Sequence, residues 1–143
     1  MSKATQVRIQ FGRGASIAPL RERDLIRLVR EATGPGWQIT LRMATRAEAT
    51  ELNQRFRQAD YTPNVLTFPY PELFSADIII CTPVVREQAR DQGKSFGDHL
   101  AHMAVHGALH AIGHTHDGRA DSQRMEALER HILDGFGVAD PYQ

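Results

Sequence analysis

His106-Gly107-Ala108-Leu109-His110-Ala111-Ile112-Gly113-His114-Thr115-His116 decides the reading of this chain, because it joins a helical histidine pair to a turn and further histidines. His106 and His110 stand four residues apart, so on a helix their imidazoles leave the same face about one turn apart, within reach of one ion. His102 continues the ladder, but on a straight helix it lies about 12 Å from His110, too far to share that ion. A third ligand must come from chain that turns back. Gly113 offers the turn, since glycine enters the left-handed region without a Cβ clash. His114 and His116 follow it, with His116 the expected third ligand and His114 its one rival.

A histidine pair at this spacing is ordinarily a surface or core feature, and it is the third histidine beyond the glycine turn that favours ligation. Six of the seven histidines crowd between His99 and His116. Three protein ligands leave a fourth position for water, as in catalytic zinc sites, whereas structural sites are closed by four ligands, often cysteines. This chain has one cysteine, Cys81. Zinc is therefore the expected ion, although imidazoles also accept other divalent transition metals. Metal-bound water, its pKa lowered toward about 7, is the expected nucleophile. A zincin carries a glutamate directly after its first histidine as general base. Gly107 holds that place here, so an ordinary metalloprotease is not expected and the base stays unassigned. His99, His102 and His131 are expected to be exposed or hydrogen-bonded helix residues rather than ligands.

Outward from the motif, Leu100, Met103, Ala104, Gly107 and Ala108 recur as one packing face, predicting a helix that begins at Ser95 or Phe96 and ends at Gly113. A last helix over about 121–136 places Met125, Leu128, Ile132 and Leu133 on one stripe. Toward the N-terminus, Val7-Ile9-Phe11 and Trp37-Ile39-Leu41-Met43 alternate as half-buried strands. Between them Leu20 to Val29 recur at helical spacing from Pro19 until Gly34-Pro35-Gly36. Thr45, with Glu48 three residues on, predicts a capped helix to about Phe56. Val65 to Phe68 reads as a short strand closed off by Pro69 and Pro71. Asp77 to Cys81 suits a strand buried on both faces. Thr82-Pro83 predicts an N-cap and a helix to Gly93. The order β-α-β-α-β-β-α-α-α predicts an α+β fold: one small mixed sheet of about four strands, about five helices, and the metal site at the end of a central helix.

At 143 residues and 41% hydrophobic, one domain spanning 1–143 is expected. Seventeen basic residues balance seventeen acidic ones, so bulk charge announces no polyanion partner. A lone cysteine agrees with a reducing compartment, and neither a signal peptide nor a membrane span is expected, so the cytoplasm is the expected location.

These residues resemble the YbeY family of bacterial endoribonucleases, whose hallmark is H-G-x-L-H-x-x-G-Y-D-H. The segment differs from it at His114, usually tyrosine, and Thr115, usually aspartate, both between ligands. Leu52-Asn53, Arg57, Asp60 and Val65-Leu66-Thr67-Phe68-Pro69 are similar to the family's L-N-x-x-(Y/F)-R-x-x-D-x-P-T-D-V-L-S-F-P, with Thr62-Pro63-Asn64 where P-T-D is usual. Ala76-Asp77-Ile78 and Met125-Glu126 resemble its G-D-I and M-E.

The resemblance implies metal-dependent, single-strand-selective RNA cleavage in ribosomal RNA maturation and ribosome quality control. RNA and the ribosome are the implied partners; neither DNA nor a membrane is. The resemblance also gives Arg57 a functional role, and a guanidinium can grip phosphate oxygens in a bidentate fork. Arg55, Arg86 and Arg90 are candidates to extend a positive groove. Asn53 and Asp77 are expected to cap turns. Two other readings stay open at this point: a ribosome-assembly or RNA-binding factor with a structural metal and little or no cleavage, and a metal hydrolase acting on a small molecule or peptide.

Overall fold

In the computed structural model, which describes residues 3–143, the chain runs β1 (Gln6–Phe11), α1 (Glu22–Thr33), β2 (Gln38–Ala44), α2 (Arg46–Arg57), β3 (Val65–Tyr70), a single 3-10 turn (Pro71–Leu73), β4 (Ser75–Cys81), α3 (Thr82–Asp91), α4 (Phe96–Ala111) and α5 (Arg119–Asp134). The four strands form one sheet in the order β1-β2-β4-β3. β1, β2 and β4 are parallel, and β3 returns antiparallel along β4. The expected α+β class, with one mixed sheet and five α-helices, is the observed one.

The side-chain alternation of β4 divides the interior. Ile78 and Ile80 face a large core with Ile39, Leu41 and Met43 of β2, Leu25 and Val29 of α1, Leu100, Ala104 and Ala108 of α4, and Met125 and Leu133 of α5. Ile79 and Cys81 face the opposite way, into a smaller cluster with Leu66 and with Ala49 of α2. Helices cover both sides of β4, which is why its sequence lacks a polar alternation. α4 is the central helix: residues 99–105 and 107–109 are all buried along it.

Four local expectations are corrected. β3 does not stop at Pro69 but continues to Tyr70, with Pro69 paired to Ala76. β3 is an edge strand, where a missing N–H breaks no ladder bond on the open side. Thr82 does not cap α3: it is the helix's first residue, Cys81 precedes it, and no side-chain cap bond forms. α1 begins at Glu22 rather than at Pro19, and α5 runs two residues earlier at each end than its apolar stripe predicts. Among the described residues, the side-chain N-cap bonds that form are those of Thr45, which accepts from the Glu48 N–H, and Ser95, which accepts from the Asp98 N–H.

Candidate metal centre

The C-terminal end of α4 is built to turn sharply. The Gly113 N–H donates to the His110 carbonyl and the His114 N–H to the Leu109 carbonyl, with Gly113 at φ 106°. This bond pair is a Schellman closure, and the left-handed residue it needs is the glycine. The chain then doubles back toward α5, where Ser122 Oγ donates to the His116 carbonyl and Thr115 Oγ1 donates to Asp121. A carboxylate therefore stands beside position 115 even though the chain itself has threonine there.

That turn delivers His116 to the helical pair. One ring nitrogen from each of His106, His110 and His116 lies within 4.8 Å of the others. Ring centroids are 4.7 Å apart for His106 and His110, 4.6 Å for His106 and His116, and 5.0 Å for His110 and His116. His106 and His110 are half-buried and His116 is exposed. Burial first, then the charge of His106 and His116, lowers the His110 pKa, which favours the neutral imidazole that a cation requires. Three imidazole nitrogens without a thiolate fit a borderline transition metal such as zinc. His114 is not in this triad.

The triad borders a cleft of about 530 Å³ lined by Arg57, Asn64, Val65, Leu66, Thr67, Pro69, His106, His110, Gly113, His114 and Thr115. Arg57 ends α2 and reaches across the sheet edge, where its Nη2 donates to the Thr67 carbonyl at 2.5 Å and its guanidinium lies 5.3 Å from the Phe68 ring centre. Arg57 thus shares the cleft with His106 and His110, and His116 joins that pair in the triad. The structure does not bring in the other arginines: Arg55 lies over Phe56 and Arg86 over Phe96, and neither lines the cleft; nor does Arg90.

Gly107 has a structural reason. A Cβ there would come within 2.7 Å of Ile78 Cγ2 and 3.2 Å of Val65 Cγ2, and its carbonyl accepts from the Thr67 hydroxyl at 3.0 Å. α4 sits so close to β3 and β4 that the side chain a zincin would carry has no room. Asn53, as expected, is a turn brace, its amide donating to the Tyr61 carbonyl. Asp77, on β4, receives the Tyr70 hydroxyl at 3.4 Å.

Behind the triad lies a group the sequence reading missed. Glu129 of α5 is fully buried, 2.5 Å from His102 Nε2 and 2.9 and 3.0 Å from the Tyr142 hydroxyl, which donates to it. Burial pushes the Glu129 carboxyl up, but its contacts with His102 and His106 outweigh that and hold it below the ordinary carboxylate value. Burial and the Glu129 charge push the Tyr142 phenol up. The one available signal was the phase of α5, since Glu129 follows Met125 by four residues on the buried stripe. His102 and His99 are both buried and hydrogen-bonded, His99 to Gln88, while His131 is exposed.

Comparison with known proteins agrees with this architecture. A family model described as endoribonuclease YbeY matches residues 20–137. The chain belongs to the YbeY family. A YbeY relative from Thiobacillus denitrificans, named endoribonuclease YbeY, is 43% identical over 99% of each chain. Another of that name, from Bordetella petrii, is 50% identical over 73% of this chain and 70% of its own. A solution structure from Thermotoga maritima superposes with a TM-score of 0.62 at 23% identity, covering 96% of this chain and 99% of that one, and so shares the fold. Among the described residues no helix is long and apolar enough to cross a membrane.

Proposed function

We propose that residues 1–143 act as one metal-dependent hydrolase domain, an endoribonuclease that cuts single-stranded RNA. Its proposed setting is ribosomal RNA maturation and ribosome quality control at the ribosome, in the cytoplasm. The observation that carries the reading is the convergence of three imidazoles within 4.8 Å beside a cleft that Arg57 also lines. The name shared by the relatives, endoribonuclease, supports RNA as the substrate.

His106, His110 and His116 would hold the ion, with zinc favoured by the all-nitrogen set. When bound, such an ion supplies Lewis acidity and a nucleophilic water near neutral pH. Arg57 contributes what the histidines lack, a fixed cation for a phosphate. One arm is held by the Thr67 carbonyl and the plane is supported by Phe68, so little freedom is lost when the remaining donors grip phosphate oxygens. Exposure of His116 and the open cleft support a reactive site over a closed structural one.

The test combines elemental analysis of untagged protein, before and after chelation, with cleavage of a single-stranded RNA. The expected result is near-stoichiometric metal, cleavage lost on chelation, and cleavage lost in His110→Ala and Arg57→Ala variants that remain folded. A metal-free preparation that cuts RNA equally fast overturns the reading.

A further inference from the structure

We infer that Glu129 is a positioning residue for the metal centre, acting through His106, and that Tyr142 and His102 hold its carboxylate for that task. The inference rests on the proposed ligation by His106, His110 and His116 and adds what orients the first of them.

Among the described residues, His106 Nδ1 is buried without a hydrogen-bond partner. The nearest charge to it is Glu129 Oε2 at 3.5 Å, an electrostatic contact rather than a formed hydrogen bond. A ring nitrogen that faces a buried carboxylate is the one that keeps its proton, so Nε2 carries the lone pair for the ion. A carboxylate behind a metal-bound imidazole fixes the ring's tautomer and raises its basicity, and removing such a partner typically lowers metal affinity about 10- to 100-fold.

The rest of the cluster shows that the carboxylate is held rather than incidental. Its side chain is 0% exposed, and four contacts converge on its two oxygens from His102, His106 and, twice, Tyr142. Tyr142 is itself fixed by its N–H to Asp140, by Arg130 stacked 5.2 Å from its ring, and by the Arg130–Asp140 ion pair. The same three groups His102, His106 and Glu129 have the donor types of a second cation site. The 2.5 Å contact between His102 and Glu129 leaves no space for an ion between them, so the arrangement is a hydrogen-bonded brace. Burial also separates Glu129 from the cleft, whose lining it does not join. It therefore cannot meet a substrate, and the general base that Gly107 displaces is not relocated to this residue.

Two measurements test the inference. In zinc-loaded wild-type protein, ¹⁵N–¹H spectra of the histidine rings report which nitrogen of His106 bears the proton. The expected pattern is a protonated Nδ1 and a metal-shifted Nε2; a metal-shifted Nδ1 overturns the proposal without any variant being made. Competitive chelator titration then compares wild type with Glu129→Gln. A 10- to 100-fold loss of zinc affinity is expected, with recovery in Glu129→Asp toward the wild-type value. A Glu129→Gln protein that melts lower yet binds zinc as tightly as wild type reduces Glu129 to packing and overturns the inference. Wild-type protein that binds no zinc defeats the metal reading beneath it, and is distinguished by appearing before any variant is compared.

Discussion

Gly107 and Ile78 are in closest contact where the central helix crosses the sheet: a Cβ on the glycine would stand 2.7 Å from Ile78 Cγ2. The obstructing atoms, Ile78 Cγ2 and Val65 Cγ2, are branched at Cβ on strands of a packed sheet and cannot swing aside as the end of a long side chain would. This approach sets the depth at which His106 and His110 stand over the cleft.

Gly107→Ala is therefore expected to destabilise the fold. Overpacking costs about 1–3 kcal/mol and the gain in helix propensity returns about 0.5–1 kcal/mol, for a net loss centred on about 1 kcal/mol and at most about 2.5 kcal/mol. Urea denaturation of the two proteins measures it. Equal or greater stability in the alanine variant would show that α4 can lift from the sheet at no cost.

Metal loading should raise stability by mass action. At free zinc about 100 times the dissociation constant the gain is about 2.7 kcal/mol, read as a rise in melting temperature that chelation reverses. His110→Ala should abolish the zinc-dependent rise while leaving the metal-free melting temperature near that of metal-free wild type, since His110 is half-buried at a helix end and no side chain among the described residues hydrogen-bonds to it.

Arg57→Ala should lower RNA cleavage about 100- to 1,000-fold, the usual effect of removing one charge-stabilising donor. Zinc content should stay unchanged and the melting temperature should fall only slightly, because the residue is exposed and gives up one hydrogen bond to Thr67 and its packing on Phe68. Arg57→Lys should recover little, as an ammonium cannot hold Thr67 and a phosphate in one plane. Full activity in the lysine variant would assign Arg57 a general electrostatic role instead of a bidentate one.

His102→Ala should cost about 3 kcal/mol, the low end of the range for breaking a buried pair, since Tyr142 still donates to Glu129. A chemical-denaturation difference under about 1 kcal/mol would mean that water enters and solvates the carboxylate.

Acid stability should reveal His99. Burial, then the charge of His102 and Lys94, lowers its pKa to about 4 from an ordinary value of 6.5. Above pH 6.5 both folded and unfolded chains hold it neutral and stability is level. Between 6.5 and 4 the unfolded chain binds a proton that the folded one refuses, so stability falls as pH falls. His110 adds a slope of the same sign in metal-free protein. His99→Gln, compared with wild type by urea midpoints across this window, should show a shallower decline; an identical slope would place the proton uptake elsewhere.

Much of the site was legible because its logic is local. The i, i+4 spacing of His106 and His110 and the glycine turn before His116 follow from backbone geometry within a dozen residues, and the structure reproduces both. The strands and helices of the α+β fold were legible by period for the same reason. Pro69 misled, because whether a proline ends a strand depends on whether that strand lies at the sheet edge. Thr82 misled because a cap residue and a first helical residue share composition.

From the sequence alone came the element order, the fold class, the candidate triad and the resemblance that singles out Arg57, all of them set by periodicity, spacing or motif along a short stretch of chain. Only the tertiary structure decided that β4 lies between β2 and β3, that Arg57 shares a cleft with the histidines, that Gly107 is required by Ile78, and that Glu129 stands behind His106. Each of those joins residues far apart in the chain, and such partners are chosen by how helices and sheet pack to bury apolar surface and satisfy buried charge, which no local pattern encodes.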